Sequence, residues 1–125
     1  MTTPAEPFEI KAGDHEPSIQ TTLTLPGAAV PFTLTGATIK VYFIMRAQGE
    51  DGLPIAGPPK VVGLAQIVDA DACIVRYDWQ STDTDTAGLY VGEWEVHRNG
   101  RRRTFPTRSY NNIVIWQDLG SAPAA

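Results

Sequence analysis

Few residues of this 125-residue sequence have the type and spacing that chemistry needs. Two histidines, His15 and His97, stand far apart, and no Gly-x-Ser-x-Gly elbow or other nucleophile setting accompanies them. General-base work needs a histidine or carboxylate held in a cleft. His97 instead falls on the outer side of a strand near a hairpin tip, and His15 lies in a turn. The single cysteine, Cys73, has no second thiol to pair with and no histidine nearby in sequence to activate it. It is expected to pack as a small apolar residue. Asp83 and Asp85, in Ser81-Thr82-Asp83-Thr84-Asp85-Thr86, have the oxygen density of a calcium loop, and Asp69 and Asp71 form a similar pair. The later glycine and bidentate glutamate of an EF-hand are missing, and Asp and Thr serve turns by bonding local amides. The expectation is a non-enzymatic protein with no catalytic residue, cofactor, metal or small-molecule substrate.

One basic cluster remains, Arg98-Asn99-Gly100-Arg101-Arg102-Arg103. Asn-Gly is the strongest two-residue hairpin signal, so Arg98, Arg101, Arg102 and Arg103 gather around a tight tip. Guanidinium groups in that setting suit phosphates or an acidic protein surface. The net charge of −4 and the lack of aromatic residues interleaved with the arginines weigh against a nucleic-acid partner. Glu93 and Glu95 on the paired strand offset part of the charge. The arginines are therefore read as candidate protein contacts, together with Tyr42 and Ile44, which stand on the outer side of a strand.

The elements that must position these residues are strands. At 125 residues the chain fits one domain able to bury roughly two thirds of its unfolded surface. Apolar residues at 42% and charged residues at 19% mark it as globular, and no apolar run reaches the length of a membrane span. The N-terminus has neither the basic nor the apolar region of a signal peptide, so the expectation is a soluble chain made in the cytoplasm. Residues 1–7 and 118–125 read as flexible arms around a body at 8–117.

Within the body, Tyr90, Gly92, Trp94 and Val96 share one face of a strand, and Ile39, Val41, Phe43 and Met45 one face of another. Cys73, Val75, Tyr77 and Trp79 alternate in the same way. Gly92 is expected to make room for a bulky neighbour, Trp79. Residues 48–59, rich in glycine and proline, read as a long mobile loop. Residues 60–68 read as one β-rich run. No apolar pattern holds at helical spacing for ten residues. The whole is expected to be all-β, an antiparallel immunoglobulin-like β-sandwich of seven to eight strands. The turn before Tyr90 is similar to a tyrosine corner, and Trp79 suits the central tryptophan.

Several phrases in order carry a resemblance. They are Gly13-Asp14-x-x-Pro17, Leu34-Thr35-Gly36-Ala37-Thr38, Ile67-x-Asp69, Val75-x-Tyr77-x-Trp79, Asp83-Thr84-x-x-x-Gly88-x-Tyr90-x-x-Glu93-x-Glu95-Val96, Thr104-Phe105-Pro106 and Ile113-x-Ile115. The series resembles the N-terminal immunoglobulin-like domain of the phage baseplate upper protein (BppU) family and spans about residues 8–117. The resemblance implies a virion structural protein that attaches to a tail baseplate in a multi-copy assembly, with other phage virion proteins as partners and no membrane. No coiled-coil or fibre segment follows in the sequence, so attachment is implied and fibre-holding is not. A capsid decoration protein is the alternative location. A glycan- or receptor-binding sandwich is the alternative role, and it would present Tyr110 or Trp116 on a concave face.

Overall fold

A computed structural model describes residues 7–25, 32–36, 38–106 and 110–120. Among them there are nine strands and no helix: β1 (Phe8–Lys11), β2 (Ile19–Thr22), β3 (Ile39–Ala47), β4 (Val61–Leu64), β5 (Gln66–Asp69), β6 (Ile74–Tyr77), β7 (Gly88–Arg98), β8 (Arg101–Phe105) and β9 (Asn111–Trp116). They form two sheets facing each other across a core, a β-sandwich. The expected arms lie mostly outside the described residues, as does Ala37.

The larger sheet runs β1-β9-β7-β3-β4. The eleven-residue β7 is its spine. On one side β3 pairs with it from Tyr90 to Arg98. On the other side β9 takes its first half and β8 its second. The smaller sheet is β2-β6-β5. The pairs are antiparallel except β1 with β9, which run parallel from Phe8↔Ile113 to Lys11↔Trp116. The expected all-antiparallel sandwich is corrected in that one pair.

Period-two alternation decides the core, as it must where one side of a strand is dry. Val41, Phe43 and Met45 of β3 and Tyr90, Trp94 and Val96 of β7 are buried, facing Val75 and Tyr77 of β6 and the adjoining Trp79. Phe43 is the centre of an aromatic cluster. Its ring stacks on Tyr77 at 5.2 Å, meets Trp94 at 4.8 Å and takes Trp79 edge-on at 5.8 Å. Offset and edge-on pairs of this kind are the geometries the ring quadrupole favours. Trp79 is held by its indole N–H, which donates to the Pro17 carbonyl at 3.1 Å.

Two glycines admit the rings. A Cβ on Gly92 would lie 2.9 Å from both Ile113 Cδ1 and Phe43 Cε1. The bulky neighbours that need Gly92 are therefore Phe43 and Ile113, and the expected Trp79 is not among them. Face is legible from alternation; the side chain that arrives from across the sheet is not. A Cβ on Gly63 in β4 would lie 2.3 Å from Tyr77 Cε1, so β4 can pass the tyrosine ring only as glycine.

The run at 60–68 divides at Ala65. Residues on one side of it pair with β3 and on the other with β6, so the chain steps from the larger sheet to the smaller one across a single residue. The corner before β7 forms as read: the Tyr90 hydroxyl donates to the Thr86 carbonyl at 2.7 Å.

Candidate functional site

β7 and β8 extend past the core to form the arginine hairpin, with Arg98↔Arg101 as its last pair. Asn99 and Gly100 turn it, both with positive φ, as a type I′ turn requires. Alternation then splits the arginines. Arg98, Arg101 and Arg103 follow the inward side of β7 and β8 but stand beyond the core, beside Val96 and Phe32. Arg98 is tied down there: its guanidinium donates to the Thr33 carbonyl and lies 4.8 Å from the centre of the Phe32 ring, a cation–π contact. The result is an open groove of about 650 Å³ with an apolar floor and guanidinium walls.

Arg102 points to the outer side, 4.0 Å from Glu95, which also bonds His97 Nε2 at 2.9 Å. Arg102 is the one arginine of the cluster that Glu95 partly neutralises, and Arg101 and Arg103 are solvent-facing with no ion pair among the described residues. The sequence brought these four arginines to one tip. It did not indicate the Phe32–Arg98 contact, because the two residues are far apart in the chain.

Tyr42 and Ile44 lie on the outer side of β3 and are half-buried. The Tyr42 ring takes the His97 ring edge-on at 5.2 Å. Ile44 shares a shallow concavity with Arg46, Pro54, Val91, Glu93 and Tyr110. Part of that cover comes from the 48–59 loop, which folds back on β3. Ile55 N–H donates to the Ala47 carbonyl at 2.9 Å, Gln48 bridges to Pro54, and the Arg46 guanidinium donates to the Gly57 carbonyl. A loop read as free from its glycines and prolines is thus pinned to its own strand.

Two exposed apolar residues on this side are the neighbours of Tyr42 and Ile44 across the ladder. Leu64 is opposite Tyr42 and Val62 opposite Ile44, and each is 62% exposed. Sequence reading missed them. Val61 and Val62 are adjacent, so apolarity alone could not say which one faces in.

Glu93 and Glu95 run down the middle of the outer side. Burial raises the Glu93 carboxyl above the ordinary range, and the Glu95 charge raises it further, against Arg102 and Arg46. The remaining chemistry-bearing residues are committed to structure. Asp83 is buried and accepts from the Tyr77 hydroxyl at 2.6 Å and the Gln80 amide at 2.7 Å. The Tyr77 hydroxyl is pushed well up, first by burial and then by that carboxylate. Asp85 pairs with Lys60 at 2.7 Å, which lowers its carboxyl. Burial pushes the Cys73 thiol up, against the nearby Arg98 charge, so it is a poor nucleophile. No group of three His, Cys, Asp or Glu side chains is gathered to hold a metal among the described residues. Tyr110 and Trp116 are 38% and 51% exposed on the outer side at β9. They stand roughly 20 Å apart at the rise of a strand, too far to grip one sugar ring, and Trp116 Nε1 donates to Glu9 at 3.2 Å.

No family model, curated protein or solved structure matches this chain.

Proposed function

We propose that this chain is a non-enzymatic structural protein of a phage virion, an immunoglobulin-like sandwich that docks into a tail or baseplate as an adaptor. The observation that carries the docking role is the outer side of the larger sheet. There Val62 and Leu64 are open to solvent beside the half-buried Tyr42 and Ile44, at the sheet's edge. Apolar side chains clustered on an ordered strand pair mark an interaction surface. The arginine hairpin supplies a second, charged contact at one end of the sandwich, suited to an acidic patch on a neighbour.

The phage assignment rests on the ordered phrases from Gly13 to Ile115. The strand order supports the immunoglobulin-like part of the reading. β2-β6-β5 corresponds to the B-E-D strands of that fold, and β9-β7-β3-β4 to G-F-C-C′. Mass spectrometry and imaging of purified particles test the proposal. The expected result is the chain present in many copies at the tail. Density at the head would convert it to a capsid decoration protein, and absence from the particle would remove the virion role.

A further inference from the structure

Sheet edges are where folded chains are open to another strand, and natural edges are blunted by charge, bulges or short polar strands. The edges of this sandwich follow that rule with one exception. β1 carries Glu9 and Lys11, β8 carries three arginines, β2 shows Gln20 and Thr22 to solvent, and β5 has a break in register between Ile67 and Asp69. β4, Val61–Leu64, has no charge and no bulge, and the side chains it shows to solvent are Val62 and Leu64.

Its backbone is open in the same places. Ala65 N–H donates to the Val41 carbonyl at 2.8 Å, and the register continues as Gly63↔Phe43 and Val61↔Met45. In an antiparallel ladder the bonded residues alternate. The polar groups of Val61, Gly63 and Ala65 therefore face β3, and those of Val62 and Leu64 face away from the sheet.

We propose that β4 pairs with β4 of a second copy of this chain, antiparallel about a two-fold axis through Gly63. The strand is self-complementary in that register. Val62 of one copy exchanges both backbone hydrogen bonds with Leu64 of the other, and the reverse pair does the same, as an isologous contact requires. The side chains of these pairs meet on the outer side, and with Tyr42 and Ile44 behind them they form one apolar stripe across both copies. Outside Val61–Ala65 the chain leaves this register, with Lys60 N–H donating to the Met45 carbonyl and Gln66 paired with Arg76 in the smaller sheet, so no like charges oppose each other within it. Gly63 meets Gly63 at the axis, and the inner side of the strand there is already closed by the Tyr77 ring. The pairing joins the two larger sheets into one. It stands apart from the virion reading, since it concerns the isolated chain.

Sedimentation of the purified chain across a concentration series up to about 1 mM, where a weak interface of this kind is populated, tests it. The expected result is a reversible shift from the 13.6 kDa monomer to twice that mass. The amides of Val62 and Leu64 should become protected from hydrogen exchange as the dimer forms. Val62→Pro removes an outward N–H, which an edge strand tolerates, and Leu64→Lys adds the charge the edge lacks. Both variants should remain monomeric with the wild-type unfolding midpoint. Leu89→Ser, on the same outer side but on β7, should keep the dimer. A wild-type chain monomeric throughout overturns the proposal, even if its β4 takes a strand from another protein. So does a dimer that survives both β4 variants, or one that Leu89→Ser dissolves equally.

Discussion

Replacing Gly63 with alanine adds one methyl group at a place where the structure has no room for it. The new Cβ would lie 2.3 Å from Tyr77 Cε1 and 2.7 Å from its hydroxyl oxygen. Backbone strain does not enter, because Gly63 does not adopt the left-handed region. The relief must come from Tyr77, whose ring is stacked on Phe43 and whose hydroxyl is held by the buried Asp83. Overpacking of this kind costs about 1–3 kcal/mol. If the ring swings away from Asp83, loss of a hydrogen bond to a charged group adds about 1.5–3 kcal/mol. Urea denaturation should therefore show Gly63→Ala destabilised by about 1–6 kcal/mol, from the smallest overpacking cost alone to both costs in full. In a Tyr77→Ala background the same substitution should cost less than ~0.5 kcal/mol, because the double-mutant cycle removes the clash. A Gly63→Ala protein as stable as wild type, or an equal cost in both backgrounds, would refute the view that the tyrosine ring dictates glycine in β4.

Two further outcomes follow from the same contacts. Tyr90→Phe removes only the bond to the Thr86 carbonyl and should lower unfolding stability by about 0.5–1.5 kcal/mol, with the loop 80–87 gaining faster amide exchange. Glu93, with its carboxyl raised in the fold by burial and by Glu95, binds its proton more tightly folded than unfolded. Its ionisation therefore removes stability as pH rises from the ordinary carboxylate range through the raised value. Glu93→Gln should be the more stable protein at neutral pH, and its advantage should shrink as the pH is lowered through that window in a series of thermal melts.

Much of the architecture was legible from period-two alternation. Residues 39–46, 73–79 and 90–96 each show one apolar face, and those faces form the core. The Asn99-Gly100 hairpin and the Tyr90 corner were legible because their chemistry is local. Pairing was not. β1 joins β9 in parallel although the two lie at opposite ends of the chain, and no local pattern records such a partner. The division at Ala65 was hidden because apolar residues are adjacent at 61–62 and 67–68, which erases the alternation that separates faces. For the same reason Val62 and Leu64 went unseen, while Tyr42 and Ile44, one strand inward, attracted notice. The arginines of the hairpin were evident by type, but Phe32 beneath Arg98 needed the fold to arrive there.

The parallel ladder between β1 and β9 also has a mechanical meaning. Two strands running the same way carry the chain in at one pole of the domain and out at the other. Tension applied through the segments before Phe8 and after Trp116 pulls these strands past each other lengthwise. The rungs from Phe8↔Ile113 to Lys11↔Trp116 then bear the load together and do not unzip in turn. A domain clamped in this way meets a lengthwise pull with all four rungs at once.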